Sequence, residues 1–130
     1  MVCFYDASAR KPPTTWQLFV DSKYVEVKFS ETESARMVLP EIDISTLNTP
    51  TITVPNFTAL SAFIKGTEMI ATSLSLMSQG LLKNLDSAPL PLKTKPVNVY
   101  LVWHQRDHDD PAHSWLRQRI TGTVNSIIRG

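Results

Sequence analysis

The stretch Thr51-Ile-Thr-Val-Pro-Asn-Phe-Thr-Ala-Leu-Ser-Ala-Phe-Ile-Lys-Gly-Thr-Glu-Met-Ile-Ala-Thr-Ser73 decides the fold class. Thr51–Val54 is a short β-branched run that Pro55 closes, because proline cannot donate to a ladder. Asn56 follows as a natural helix N-cap: its side-chain oxygen satisfies one of the N–H groups that a helix start leaves free. Phe57, Leu60, Phe63 and Ile64 recur at helical spacing and predict one apolar face, and Gly66 supplies a C-terminal stop. Met69–Ala71 reads as the next strand. Thr72 or Ser73 then caps a further helix carrying Leu74, Met77, Leu81 and Leu82. Strand, helix, strand and helix at this spacing predict an α/β fold, with a mostly parallel sheet flanked by helices.

Working toward the amino end, Lys23–Ser30 (KYVEVKFS) alternates strictly, with Val25, Val27 and Phe29 against Glu26, Lys28 and Ser30, which predicts a strand with one wet face. Ser34–Leu39 has helical spacing that Pro40 interrupts, since an internal proline costs a helix about 3 kcal/mol. Pro12 and Pro13 break the chain, and Thr14 or Thr15 caps a short helix from Trp16 to about Asp21, with Trp16, Phe19 and Val20 on one side. Met1–Tyr5 is continuously apolar and suits a strand buried on both faces. A chain that starts inside a core strand is expected to have had sequence before it.

Toward the carboxyl end, Pro89, Pro91 and Pro96 force an extended connection. Val97–Trp103 reads as an apolar strand, and the polar loop His104–Asp110 leads into a long helix for which Asp110 and Pro111 are cap and first residue. Along that helix Ala112, Trp115, Leu116, Ile120, Val124, Ile127 and Ile128 form a wide apolar stripe that needs a partner surface.

The totals exclude several function classes. The 130 residues suffice for one domain, and 42% hydrophobic with 19% charged residues marks a globular chain. A formal charge of +1 lacks the basic excess of a dedicated nucleic-acid binder. The single Cys3 permits no internal disulfide, and its apolar setting favours a buried, inert thiol over a reactive one. No apolar run approaches the roughly 20 residues a membrane span needs, and no secretion signal is seen, so a cytoplasmic chain with no membrane partner is expected.

Catalytic signatures are missing: no G-x-S-x-G elbow, no P-loop or dinucleotide fingerprint, and carboxylate pairs such as Glu31 with Glu33 that read as surface residues. His104, His108 and His113 with three aspartates invite a metal, but their spacing matches no standard site, and a solvated connection with Asp110 as cap is the stronger reading. The expectation is therefore no enzyme, no cofactor and no metal. What does stand out is a set of strand ends carrying small polar groups: Ser30–Thr32, Asn56–Thr58, and Thr72 with Ser73. Ligands of parallel α/β sheets bind at that edge, where helix N-termini offer free N–H groups. Capping alone explains any one of these residues. As a set, Ser30, Asn56, Phe57, Thr58 and Thr72 are the candidate ligand-binding wall.

The run KPVNVYLVWHQRDHDDPAHSWLRQRI resembles the C-terminal end of LysR-type transcriptional regulators, in which a Trp-His pair ends a returning strand and a D-P-A-x-x-W-L-R helix start follows. The matching residues are Trp103, His104, Asp110, Pro111, Ala112, Trp115, Leu116 and Arg117. Upstream, Val54, Pro55 and Phe57 resemble the family's V-P-x-F turn, and Ile70, Ala71 and Thr72 its I-A-T strand; the PLPL turn at 89–92 also fits. The wording is most similar to the branch of nodulation and aromatic-degradation regulators.

The resemblance implies one lobe of a periplasmic-binding-protein-like (type II) effector domain. Residues 1–94 would form the second lobe, and residues 95–130 a returning strand and C-terminal helix that pack on a missing first lobe. It implies a small-molecule inducer, hydroxylated aromatics among the family's inducers, and self-association. DNA would be bound only through an N-terminal helix-turn-helix that has no counterpart in this sequence. Pro40 and Ser73 depart from the family's wording, an uninterrupted helix and a proline respectively. A rival reading is a free-standing half-domain that works as a dimerisation module through its strand edge and last helix.

Overall fold

The computed structural model describes residues 1–30 and 48–129, and divides into two units, Met1–Val97 and Asn98–Gly130. The expected helix at Ser34–Leu39, its interruption at Pro40, and the edge residues Glu31 and Thr32 lie outside the described residues.

In the first unit, strand β1 (Val2–Tyr5) lies between β4 (Ala71–Ser73) and β5 (Asp86–Pro89) and is antiparallel to both. Strands β2 (Val25–Val27) and β3 (Ile52–Val54) pair in parallel. A parallel bridge from Tyr24 to Ile70 joins the two groups. The strand order is thus β3-β2-β4-β1-β5, with β1 running against the other four. The chain is α/β, but the sheet is not mostly parallel in its pairing: both ladders of β1 are antiparallel, and parallel pairing is confined to β2 with β3 and the Tyr24–Ile70 bridge. The repeat of strand and helix did not announce the antiparallel ladders.

Helix α1 (Trp16–Val20) starts at Thr15, whose hydroxyl accepts from the Leu18 N–H. Helix α2 (Phe57–Ile64) starts at Asn56 and ends where Gly66 takes a positive φ of 74°, a conformation that favours glycine. Each face of the sheet carries its own core. Phe4, Val25, Val27, Val54 and Ala71 pack with Leu60 and Ile64 of α2, while Cys3, Tyr5 and Ile70 pack with Phe19 of α1. Strand β1 is therefore buried on both faces, which explains its unbroken apolar run.

Three expectations are corrected. Glu26 is buried, because both faces of the sheet are covered, by α2 on one side and α1 on the other, and so β2 has no wet face. Phe63 is 42% exposed: it lies about 100° around the helix from Ile64, beyond the stripe that Leu60 and Ile64 define. After β4 the chain forms only a short 3-10 turn (Ser75–Gln79), not a helix continuing through Leu82. Leu74 stands at the cap position without a side-chain hydrogen bond, and the Ser78 hydroxyl donates to the Ser75 carbonyl, competing for a backbone group. Leu82 is nevertheless fully buried.

In the second unit, Asn98–Trp103 forms no regular element and pairs with no strand among the described residues, so the expected strand at Val97–Trp103 has no ladder. A short 3-10 turn (Gln105–Asp107) precedes helix α3 (Pro111–Arg129). Asp110 caps α3 through a 2.8 Å bond from the His113 N–H. Within this unit Trp115, Leu116, Ile127 and Ile128 stay exposed.

Candidate functional site

The order β3-β2-β4-β1-β5 fixes where a ligand crevice forms. From β2 the chain leaves toward β3 on one side, and from β4 toward β5 on the other. The boundary between β2 and β4 is a topological switch point, and ligands of open α/β sheets bind outside the carboxyl ends of strands at such a point. The hydrogen bonds between these strands sit at their amino ends: the Val25 N–H donates to Ile70 O (2.9 Å) and the Ile70 N–H to Lys23 O (3.0 Å). Beyond that bridge no further ladder bond joins them among the described residues. Among the described residues no ladder closes their carboxyl ends.

Around this opening the structure places the candidate residues on two faces. Asn56 and Phe57 stand where β3 runs into α2. The Asn56 Oδ1 accepts from the Ala59 N–H at 2.9 Å, so that oxygen is engaged in capping and its amide nitrogen is the part left for a ligand. Thr58 is exposed in the first turn of α2. Ser30 is exposed two residues past Lys28, at the end of β2, and already has an interaction partner.

Thr72 is paired with Cys3, whereas Ser73 is paired with Val2 and Ala71 with Phe4. Cross-strand partners share a face, so Thr72 faces the α1 side and Ser73 the α2 side. Four of the five candidates thus gather where β2 and β3 end, and Thr72 stands on the opposite face of the same edge.

Sequence reasoning passed over Phe29. It follows β2 on the α2 side, is 57% exposed, and meets Phe57 edge-on at 5.8 Å between ring centroids with the planes 62° apart. The odd-numbered alternation Val25, Val27, Phe29 was the available signal, but it read as core. Ser73 is 3% exposed, and no side-chain hydrogen bond serves its hydroxyl among the described residues.

At the other edge of the sheet the polar groups tie the fold together. Asp6 is buried and accepts from the Ser8 N–H (2.9 Å), the Ser8 hydroxyl (2.6 Å) and the Gly66 N–H (2.7 Å), with Lys65 Nζ at 3.4 Å. The Ser8 hydroxyl first, then the two N–H donors and Lys65, hold this carboxyl well below the usual carboxylate range. Arg10 bridges the Ser22 hydroxyl and the Glu68 carbonyl. Cys3 is buried, and burial pushes its thiol up to about 12, which leaves no thiolate at neutral pH to act as a nucleophile.

The histidine-rich loop also does structural duty. Trp103 stacks on His108 (6.1 Å, planes 18° apart) and its indole N–H donates to His108 Nδ1 at 3.3 Å. The Arg117 guanidinium lies 4.7 Å from the Trp103 ring and donates to the carbonyls of Asp107 and His108. His104 Nδ1 accepts from the Arg106 N–H. Among the described residues no group of three His, Cys, Asp or Glu is placed to hold a metal ion, and no helix is long and apolar enough to cross a membrane.

No family model matches the chain. Over 72 residues, half of its length, it is 33% identical to the HTH-type transcriptional regulator SyrM 1 of Sinorhizobium fredii, of which that stretch is 21%. Over 119 residues, 90% of its length, it is 23% identical to the HTH-type transcriptional activator NahR of Pseudomonas putida, of which it covers 40%. The chain therefore spans well under half of the curated relatives it matches. Among solved structures it is similar to the regulatory domain of MexT, a transcriptional activator in Pseudomonas aeruginosa. The TM-score is 0.69 with 22% identity, and the match takes in 92% of this chain and 58% of that one. This last likeness shows the fold.

Proposed function

We propose, from the premise that the chain's homologues are LysR-type transcriptional regulators and that it matches their regulatory domain, that it is the effector-sensing portion of such a regulator and not an enzyme. The observation that carries this reading is the open switch point between β2 and β4, set in a fold shared with a transcriptional activator's regulatory domain.

Residues 1–94 form one lobe of a periplasmic-binding-protein-like (type II) domain in this reading. Residues 95–130 return as a strand and helix to a first lobe. Two features of the second unit support that division: the absence of a ladder at Asn98–Trp103 among the described residues and the exposed apolar residues of α3. A small-molecule inducer binds where Ser30, Asn56, Phe57, Thr58 and Thr72 line this lobe's side of the cleft. Its differential affinity for two lobe arrangements biases a self-associated cytoplasmic regulator, which reaches DNA through an N-terminal domain.

The test uses the longer regulator. Asn56→Ala combined with Phe57→Ala abolishes the inducer response in a reporter assay while operator binding persists. Unchanged induction overturns the assignment of the cleft.

A further inference from the structure

The second unit fastens the segment that ends at Trp103 to the start of α3 through one indole. The Trp103 Nε1–H donates to His108 Nδ1 at 3.3 Å, with the two rings 18° from parallel. Over the same indole lies the Arg117 guanidinium of α3, 4.7 Å from the ring centroid. Arg117 completes the arrangement by donating to the Asp107 carbonyl at 3.0 Å and the His108 carbonyl at 2.6 Å. Trp103, His108 and Arg117 thus form a clasp between the connection and the helix, in which each member touches the other two.

The clasp admits one protonation state. An indole N–H only donates, so His108 Nδ1 must accept, and it accepts only in a neutral imidazole. With both ring nitrogens protonated, two N–H groups would face each other across 3.3 Å. The added charge would also fall beside Arg117, which already occupies the His108 carbonyl. Of the other charged groups around the turn, Arg106 adds to that repulsion, and Asp107 is drawn to Arg106, with Nε to Oδ1 at 3.5 Å. Asp109 follows His108 directly, and Asp110 is engaged with the His113 N–H as the cap of α3. His104 Nδ1 accepts from the Arg106 N–H within its own turn and so joins nothing to the helix.

Trp103 is 43% exposed, so solvent reaches the bond. All three histidines of the chain, His104, His108 and His113, lie in this unit. Histidine is the side chain type that changes charge between about pH 5 and 8.

We propose that the Trp103–His108–Arg117 clasp is a proton-sensitive catch. With His108 neutral, the catch fastens Trp103 to the first two turns of α3. Protonation of His108 releases the indole and lets the start of the helix fray.

The experiment is a pH titration of the 130-residue chain, labelled with nitrogen-15 at its three tryptophans and followed by NMR and far-UV circular dichroism. Trp103→Phe identifies the Trp103 indole signal. Between about pH 8 and 5 that signal moves with a single protonation while the Trp16 signal stays fixed. The helical signal falls with the same midpoint, by an amount equal to about one or two turns of α3. His108→Gln, whose amide oxygen accepts without titrating, holds the indole signal at its high-pH position, whereas His104→Gln and His113→Gln leave the titration in place. A Trp103 signal that stays fixed across this range overturns the catch, as does one that titrates alike in His108→Gln. A moving indole with an unchanged helical signal overturns the hold on α3.

Discussion

Helices α2 and α3 begin alike and continue in different circumstances. Asn56 caps α2 through the Ala59 N–H at 2.9 Å, and Asp110 caps α3 through the His113 N–H at 2.8 Å, each oxygen serving the third residue on. Both sequences repeat apolar residues at helical spacing. In α2 that stripe is consumed at once: Leu60 and Ile64 are fully buried against β2 and β3. In α3, more than twice as long at 19 residues against 8, Trp115, Leu116, Ile127 and Ile128 stay exposed. Capping chemistry and periodicity are local properties and specify a helix whatever surrounds it. Burial is a property of the partner, and the contrast lies in the surface each helix meets, not in how its own sequence is written.

The sharpest way to break that contrast is to delete the same kind of group from each helix. Leu60→Ala removes a fully buried side chain and is expected to cost about 2–5 kcal/mol in urea denaturation followed by far-UV circular dichroism. Ile120→Ala, on a helix surface that its own unit leaves open, is expected to change stability by no more than about 0.5 kcal/mol in either direction, lost packing being offset by alanine's helix propensity. A cost at Ile120 equal to that at Leu60 would mean that the stripe is covered in the isolated chain.

The two units also differ in how they hold polar groups. The buried Asp6 of the first unit is enclosed by donors, whereas the Trp103–His108–Arg117 stack of the second is exposed. Because the folded state holds the Asp6 carboxyl below its ordinary value of 3.8, the folded protein binds this proton less readily than the unfolded chain. The stabilisation it gives is complete above that ordinary value and is lost as pH falls through 3.8 and below. Acid unfolding should therefore release α2 and β1 together, and Asp6→Asn should flatten this part of the pH profile while lowering stability at neutral pH. An unaltered profile in Asp6→Asn would assign the acid sensitivity elsewhere.

How much of this was legible in the sequence follows from the same division between local and non-local information. The caps at Thr15, Asn56 and Asp110, the stop at Gly66 and the double-faced burial of β1 were all written in residue types within a few positions of the feature. Asp6-Ala-Ser8 is a local signal too, a side chain turning back on the backbone two residues ahead, though nothing local shows that Gly66 and Lys65 arrive from sixty residues away. The antiparallel placement of β1 between β4 and β5 was not legible, because alternation records which faces are buried and not the direction of the neighbour. The wet face assigned to Glu26 failed because strict alternation fits a sheet with one solvated face, and here both faces are covered. At the candidate site, Asn56, Phe57 and Thr58 were nominated because helix starts advertise themselves. The exposure of Phe29 was not legible, because an aromatic at the end of an alternating run is written the same way whether it is buried or exposed.

The smallest effects return to the two caps and use them to measure how far each helix is anchored. Alanine at a cap position removes one hydrogen bond to an otherwise free N–H and costs about 1 kcal/mol. At Asn56 that loss falls on a helix whose buried face belongs to the core, so Asn56→Ala should move the denaturation midpoint of the first unit and leave the native helical signal nearly intact. At Asp110 the cap also places a negative charge near the positive end of the α3 dipole, adding about 0.3–1 kcal/mol at low ionic strength. Here the start of the helix is tied within its own unit by exposed contacts, Arg117 to Trp103 and to the Asp107 and His108 carbonyls, and not by a buried face, so Asp110→Ala should appear as a weaker native signal at 222 nm with the midpoint unmoved. If Asp110→Ala lowers the midpoint as Asn56→Ala does, α3 is coupled to the sheet's core in solution. If its helical signal recovers only when the rest of a longer regulator is present, the missing surface is the partner that the stripe of α3 requires.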